Sequence, residues 1–153
     1  MKAEEMIFTL FLLRFAAEDL RKKSISGREL AWFILAGAGF FLAGMRGASS
    51  AEKMSGLLLA LLPAFLLFLS GRTMGGAAGE GDALFFLGTA GYLSWRECLL
   101  LFCGSAALLG ITGMIALAAA SGSACLLRVR KKRLPYLPFV LAVWALMAGL
   151  KVC

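Results

Sequence analysis

The sequence contains no histidine, and this absence excludes several kinds of catalytic site. Hydrolases of the Ser-His-Asp and Cys-His types need a histidine as general base. Zinc peptidases with the HExxH pattern need histidines as metal ligands, and histidine proton relays need the imidazole itself. The chain can therefore use none of these chemistries.

Cysteine is scarce, and its spacing indicates no metal site. The four cysteines form no CxxC pair and no pattern typical of metal ligands; they are Cys98, Cys103, Cys125 and Cys153. The first two lie in an apolar segment, where a free cysteine behaves as a small hydrophobic residue. We expect the cysteines to serve packing, and we expect neither a metal nor a cofactor.

Charged residues are also few, at 16% of the 153 residues, while 61% are hydrophobic. A helix needs roughly 20 apolar residues to cross the hydrocarbon of a bilayer, which is about 30 Å thick. Six segments approach this requirement, at about 5–17, 30–45, 54–70, 83–95, 98–120 and 137–150. We predict an all-α fold, a polytopic bundle of about six transmembrane helices, in which residues 1–153 form a single domain.

Basic residues outnumber acidic ones by 16 to 9, and their distribution predicts the topology. With the N-terminus outside, the inner loops hold ten of the sixteen lysines and arginines and the outer side holds five, in agreement with the positive-inside rule. The run RVRKKR, residues 128–133, is interpreted as an anchor near anionic lipid rather than a nucleic-acid site. The expected location is the cell membrane, as a multi-pass protein with no nucleic-acid partner.

Aspartate occurs only twice, and both copies lie at predicted membrane boundaries. Asp19 ends the first predicted span, and Asp82 begins the fourth. Two whole spans separate them, so an even number of crossings returns the chain to the face from which it started. Both aspartates are therefore predicted at the cytoplasmic boundary of the membrane.

Two neighbouring carboxyl groups can hydrolyse a peptide bond without a metal or a histidine. At short separation they share one proton near neutral pH, so the ionised group activates water while the protonated group polarises the peptide carbonyl. The helix dipole favours Asp82, at a helix N-terminus, as the ionised base and Asp19, near a helix C-terminus, as the protonated acid. Glycines such as Gly79 and Gly81 would let a substrate strand approach the backbone beside Asp82. The alternative is structural: Asp82 caps a helix, and the glycines form a turn.

The segment GEGD, residues 79–82, with the apolar run ALFFLGTAGYLSW after it, resembles the GxGD motif and following helix of type IV prepilin peptidases, which are membrane aspartic proteases. The segment AAEDLRKKSIS, residues 16–26, is similar to the first catalytic region of that family. The segment LPYLPFVLAVWAL, residues 134–146, is similar to the start of its last helix. The chain resembles the short forms, which lack the N-terminal cytosolic domain with paired CxxC motifs, so N-methyltransferase activity is not expected.

The resemblance implies a function and a set of site residues. Asp19 and Asp82 would be the catalytic pair, and Gly79, Glu80 and Gly81 would lie against the substrate backbone. The substrate would be a prepilin-like precursor whose short basic leader stays in the cytoplasm, whose apolar helix lies in the membrane, and whose cleavage site typically follows a glycine. The implied partners are prepilin-like substrates and membrane lipid, and no oligomeric state is implied.

Two positions depart from the family pattern. Leu84 stands where many members carry a lysine, and Ser26 stands where they carry a proline. Both carboxylates remain, but the departures leave a second interpretation open, a non-catalytic membrane assembly protein of a pilus or secretion system. A third is a small transporter of ions or protons, although no acidic residue marks the middle of any predicted span.

Charged residues near the aspartates have several open roles. Glu18 and Glu80 could hold a basic leader or face solvent, and we expect Glu18 to face solvent. Arg14 either reaches the membrane interface or pairs with an acidic side chain inside the bundle. The small residues of GSAALLGITGM, residues 104–114, are typical of close helix packing.

Overall fold

The computed structural model describes residues 3–22, 26–44, 50–73, 80–119 and 136–152. Within these ranges it contains six helices and no strand. The helices are α1 (Ala3–Lys22), α2 (Gly27–Gly44), α3 (Ser50–Thr73), α4 (Glu80–Thr89), α5 (Trp95–Ala119) and α6 (Leu137–Val152). The prediction of an all-α fold is confirmed for this part of the chain.

The fourth helix is shorter than the sequence predicts. Helix α4 ends at Thr89, whereas the fourth span was predicted to continue to about residue 95. The backbone N–H of Tyr92 donates to the carbonyl oxygen of Thr89 at 3.0 Å, which closes the helix. A new helix then begins because Ser94 and Glu97 form a capping pair, in which the Ser94 N–H and hydroxyl both donate to Glu97 Oε2 at 2.9 Å.

Among the described helices, only α5 is both long and apolar enough to cross a membrane. The apolar stretches Met54–Ser70 in α3 and Leu137–Leu150 in α6 are shorter. Helix α4 has 10 residues, which at about 1.5 Å per residue gives about 15 Å, or about half the thickness of the hydrocarbon. The polytopic bundle and its topology therefore stay predictions.

An aromatic cluster joins α1, α2, α4 and the turn that follows α4. Phe33 stacks on Phe85 with ring centroids 5.4 Å apart, and on Tyr92 at 4.9 Å. Phe8 and Phe15 of α1 contact the same Phe33 ring at 6.2 and 5.5 Å. The four phenylalanines are completely buried, so their packing holds these helices together.

Glycines bring α2 into backbone contact with the end of α4. A Cβ on Gly91 would meet the Cα of Gly37 at 2.7 Å, and a Cβ on Gly37 would meet the carbonyl oxygen of Gly88 at 2.7 Å. A Cβ on Gly88 would meet the ring of Phe33 at 2.6 Å. Because a larger residue fits at none of these positions, the glycines set the distance between the two helices.

Helix α6 closes the bundle against α1 and α5. The indole Nε1 of Trp144 donates to the hydroxyl of Thr9 at 2.9 Å, and the indole lies edge-on to Phe8 at 4.9 Å. Further along, the backbone N–H of Leu137 bonds to the side chain of Asp19. Helices α1 and α6 are thus antiparallel, and the start of α6 meets the end of α1.

Candidate active site

Asp19 lies near the end of α1 and is half-buried. Its Oδ2 accepts a hydrogen bond from the backbone N–H of Leu137 at 3.2 Å. Leu137 is the first residue of α6, and the first N–H groups of a helix have no partner within that helix. Asp19 therefore caps α6 from a distant part of the chain.

Opposing effects act on the carboxyl of Asp19, which lies beyond the end of the first predicted span. Burial raises its pKa above the usual 3.8, while the backbone N–H groups of Leu137 and Tyr136 act against this rise because they stabilise the ionised form. The pKa is raised overall because burial has the larger effect. The raised pKa favours the protonated form of Asp19, and the acid role of this residue stays a prediction.

Asp82 lies in the first turn of α4 and is half-buried. The positive end of the helix dipole stabilises a carboxylate at this position, which is the basis of its predicted role as the ionised base. The charge of Asp82 also reaches Tyr136. Burial raises the pKa of the Tyr136 hydroxyl to about 12, and the Asp82 carboxylate acts in the same direction. Asp82 therefore lies near the start of α6 as well.

Tyr136 connects the surroundings of the two aspartates. Its hydroxyl lies 2.6 Å from the Oγ of Ser105 in α5, and its ring lies 6.2 Å from the ring of Phe86 in α4. Phe86 follows Asp82 by about one helical turn, so the two side chains share a face of α4. The backbone at the start of α6 contacts Asp19. Asp19 thus bonds to the start of α6, and Asp82 lies on the face of α4 whose Phe86 packs near Tyr136, the residue before α6.

The structure describes the other three predicted site residues to different extents. Gly79 lies outside the described residues. Glu80 begins α4, and only its backbone is described, while Gly81 is half-buried in the first turn of the same helix. The contacts of these three residues with a substrate stay a prediction. Across the described part of the chain, no group of three or more Cys, Asp or Glu side chains could hold a metal ion.

Glu18, beside Asp19, differs from expectation. It was expected to face solvent, but its side chain is only 17% exposed. Its Oε1 accepts a hydrogen bond from Lys22 Nζ at 3.2 Å, and its Oε2 is buried without a hydrogen-bond partner among the described residues. The expectation was wrong, because one oxygen of the carboxylate is buried and the other pairs with the lysine one turn later.

Arg14 pairs with an acidic side chain, as one of its two expected roles requires, but the pair does not lie inside the bundle. Its Nε donates to Oε2 of Glu29 at 2.8 Å, and its Nη2 pairs with Oε1 of the same carboxylate. The hydrogen bond from Arg14 holds the pKa of Glu29 below the usual 4.5. The Arg14 side chain is 69% exposed, so this link between α1 and the start of α2 lies at the surface.

Comparison with known families gives a match over most of the chain. A model of the type IV leader peptidase family matches residues 6–115, which are more than half of the chain and include Asp19 and Asp82. The chain belongs to the type IV leader peptidase family. Peptidases of this family are of the aspartic type and are associated with membranes. Searches of curated proteins and of solved structures found no match to the chain.

In this member of the leader peptidase family, an apolar groove lies between α3 and α4. Its volume is about 430 Å³, and it is lined by Leu61, Ala64, Phe65, Phe68, Ala83, Leu84 and Leu87 of α3 and α4. Each residue of a helix advances by about 100°, so Ala83, Leu84 and Leu87 project from a different side of α4 than Asp82. The groove therefore lies on another side of α4 and does not enclose the carboxyl of Asp82.

Two polar residues of the site were missed from the sequence, Tyr136 and Ser105. The family match ends within α5 and does not include Tyr136. A signal was present, because a tyrosine at the entry to an apolar helix and a serine inside another need hydrogen-bond partners when they are buried. That the two hydroxyls partner each other depends on how α5 and α6 pack, which the sequence pattern does not specify.

Proposed function

We propose that this protein is a membrane-embedded aspartic endopeptidase that removes the short basic leader from prepilin-like precursors. The observation that carries the proposal is the position of Asp19 and Asp82. They are distant in the sequence, yet Asp19 bonds to the first N–H of α6 and the charge of Asp82 acts on Tyr136 just before α6, in a chain of the type IV leader peptidase family. Family membership supports the reaction, and the positions of the carboxyls support the choice of residues.

In the proposed reaction, Asp82 takes a proton from the attacking water while Asp19 hydrogen-bonds to the oxygen of the scissile peptide carbonyl. The two carboxyls hold one proton and titrate as a pair. Burial of Asp19 supports its protonated state. Water attacks the carbonyl carbon, and Asp19 then gives its proton to the leaving amine nitrogen as the C–N bond breaks and the carbonyl re-forms. Asp82 keeps the proton taken from water, so the pair again holds one proton, and the N–H groups of Tyr136 and Leu137 are placed to stabilise the Asp19 carboxylate that remains.

The proposed substrate meets the site at the cytoplasmic boundary of the cell membrane. Its apolar helix would lie in the membrane, and its basic leader would reach the acidic side chains beside the aspartates. The buried Oε2 of Glu18 supports this arrangement, since a substrate N–H or ammonium group would supply the hydrogen bond that the described residues do not. Gly79, Glu80 and Gly81 are proposed to lie against the substrate backbone.

Cleavage of candidate precursors tests the proposal. Prepilin-like precursors are co-expressed with the wild type, Asp19→Asn or Asp82→Asn, and leader loss is measured by mass spectrometry. Each substitution should reduce cleavage by about 10³-fold or more, as expected when one member of a catalytic unit is removed. Glu4→Gln, which removes a carboxylate from the opposite end of α1, should leave cleavage unchanged. Cleavage that survives either aspartate substitution would contradict the assignment.

A non-catalytic assembly protein is the second candidate, and one observation favours it. Asp19 caps α6, which gives this aspartate a structural role that needs no chemistry. The wild type distinguishes the two functions. A protein that inserts at normal levels but cleaves no precursor is the assembly protein, whereas leader loss that depends on both aspartates is expected only of the peptidase.

A further inference from the structure

Tyr136 is buried at a point where a helix is only beginning. Its side chain is 8% exposed, although it precedes the first residue of α6. Its hydroxyl oxygen lies 2.6 Å from the Oγ of Ser105, which is completely buried in α5. Two buried hydroxyls therefore satisfy each other between α5 and the start of α6.

The surroundings of Ser105 set the direction of this hydrogen bond. Its Oγ also lies 3.0 Å from the backbone carbonyl oxygen of Phe102, which can only accept a hydrogen. Because a serine hydroxyl has one hydrogen, Ser105 donates to Phe102, and Tyr136 donates to Ser105. The hydroxyl hydrogen of Tyr136 is thus engaged with α5, so Tyr136 is not a proton donor in the proposed reaction.

The ring and the backbone N–H of Tyr136 interact with the surroundings of the two aspartates. Its ring packs near Phe86, on the face of α4 that carries Asp82. Its backbone N–H and that of Leu137 stabilise the carboxylate of Asp19. One residue therefore links α5 through its hydroxyl, α4 through its ring and α1 through its backbone.

We propose that Tyr136 and Ser105 form a positioning pair for the two carboxyls. Their hydrogen bond fixes the start of α6, which keeps its free N–H groups on Asp19 and the tyrosine ring against the turn of α4 that carries Asp82. The pair touches no reacting atom and acts through the aspartates. Its effect on cleavage rests on the proposed function, but its effect on the Asp19 carboxyl does not.

A general packing role is the competing explanation, and the chain contains a matched example of one. Tyr92 is 4% exposed and donates its hydroxyl to the carbonyl oxygen of Phe33 at 2.9 Å. It lies in the turn after Thr89, at the opposite end of α4 from Asp82. Tyr92→Phe and Tyr136→Phe each remove one buried hydroxyl, so a packing role alone would give both variants the same effect.

Chemical labelling of Asp19 separates the two explanations without using activity. The full chain, purified in detergent, is treated with dicyclohexylcarbodiimide, which modifies protonated carboxyl groups, over a series of pH values. Fragment ions in mass spectrometry separate Asp19 from its neighbour Glu18. The charged and titratable groups at this end of the bundle are the same in every variant except for Tyr136 itself. On the described elements they are Arg14, Glu18, Arg21, Lys22, Arg28, Glu29, Arg72, Glu80, Asp82 and Cys103.

We expect Tyr136→Phe to raise the pH at which half of Asp19 is labelled by about one unit. The reason is that a displaced α6 start donates less well to the carboxylate, and the loss of hydrogen bonds to the ionised form favours the protonated form. Ser105→Ala removes the same hydrogen bond without changing the ring, so it should shift the midpoint in the same direction. Tyr92→Phe should leave the midpoint at the wild-type pH.

The double variant tests whether the two hydroxyls act together. Tyr136→Phe combined with Ser105→Ala should shift the labelling midpoint no further than the larger single change, because both substitutions remove one shared interaction. With a leader-bearing precursor, kcat should fall about tenfold in each single variant while KM stays within about twofold, as expected for residues that position the reacting groups. Tyr92→Phe should change neither constant.

Two results would overturn the inference. One is a labelling midpoint for Tyr136→Phe and Ser105→Ala equal to that of the wild type, and the other is a double variant whose shift is the sum of the single shifts. If the wild type cleaves no precursor, the proposed function fails, while the labelling midpoints still decide whether Tyr136 and Ser105 position Asp19.

Discussion

The two ends of α4 are packed by different means. At its C-terminal end, the glycine end, Gly88 and Gly91 bring α2 into backbone contact, and the hydroxyl of Tyr92 bonds to a backbone carbonyl. At its N-terminal end, which we call the aspartate end, Asp82 lies near Tyr136, whose hydroxyl bonds to a serine side chain. Each end thus has a buried tyrosine, and the tyrosine of the second end directly precedes the helix whose first N–H bonds to Asp19.

One short helix thus has a rigidly packed end and an end near carboxyl groups that can change their protonation. At the glycine end, main chain touches main chain, so the distance between helices cannot adjust without a clash. At the aspartate end, Asp19 and Asp82 interact with their surroundings through hydrogen bonds and charge, which respond to protonation. A proteolytic site needs both properties, because its carboxyls must change charge while the helices that carry them stay in place.

Disruption of the glycine end should have the largest effect on stability. In Gly91→Ala the new methyl group would meet the backbone of Gly37, whose Cα would lie 2.7 Å away, and backbone atoms cannot rotate aside as a side chain can. We expect a loss of about 3 kcal/mol in the free energy of unfolding and a fall of about 10 °C in the unfolding midpoint. Thermal unfolding in detergent, followed by tryptophan fluorescence, measures this change.

Gly39→Ala is the matched control for this experiment. Gly39 lies in α2, two residues after Gly37, but a Cβ there would have no atom within 4 Å. Alanine is a better helix former than glycine, so the midpoint should stay the same or rise slightly. Equal losses in Gly91→Ala and Gly39→Ala would contradict the close approach of α2 and α4.

At the aspartate end, the stability of the folded state should depend on pH through the carboxyl of Asp19. Because the pKa of Asp19 is raised above 3.8 in the folded protein, the unfolded chain loses this proton first as the pH increases. The folded state therefore loses stability relative to the unfolded state between pH 3.8 and the raised pKa, and the loss persists above that window. Asp19→Asn, which keeps an oxygen to cap α6, should remove this decline.

Unfolding midpoints measured over a pH series compare Asp19→Asn with the wild type. The variant should gain stability relative to the wild type as the pH rises, by less than the Gly91→Ala effect, because solvent screens a half-buried carboxyl. Gly39→Ala should follow the wild-type pH dependence. A wild type and an Asp19→Asn variant with the same pH dependence would show that burial does not raise the pKa of this carboxyl.

Parts of this comparison could be predicted from the sequence because their signals are local. The missing histidines and the two aspartates at the ends of apolar runs indicated a two-carboxyl site, and the runs themselves predicted helices. The end of α4 was predicted too late, although the Ser-x-x-Glu pattern of Ser94 and Glu97 marks a helix start. The apolar character of Ala90, Tyr92 and Leu93 outweighed that pattern, because a turn and a span are equally apolar when both are buried.

Other parts could not be predicted because they depend on how separate helices meet. Nothing in the neighbourhood of Tyr136 or Ser105 specifies that their hydroxyls pair, since this requires the crossing of α5 and α6. The capping of α6 by Asp19 likewise joins two chain segments that the sequence pattern treats independently. Glu18 was wrongly expected to face solvent, because the sequence pattern does not show that its side chain is only 17% exposed.

The ion pair between Arg14 and Glu29 should give the smallest effect, with the opposite pH dependence to Asp19. Arg14 lowers the pKa of Glu29 below 4.5, so the stabilisation is present above pH 4.5 and is lost as the pH falls through the lowered value. Glu29→Gln should therefore lower the unfolding midpoint slightly at neutral pH and leave it unchanged in acid. The same pH series that tests Asp19→Asn measures this variant.

Salt provides the control for this last comparison. The Arg14 side chain is 69% exposed, and an exposed pair is weak and is screened by ions, so the Glu29→Gln effect should disappear at about 1 M salt. The Asp19 effect arises from burial of a single carboxyl and should persist at that salt concentration. If the Glu29→Gln effect also persisted, the pair would be shielded from solvent, and the end of α1 would be more deeply packed against α2 than the exposure of Arg14 indicates.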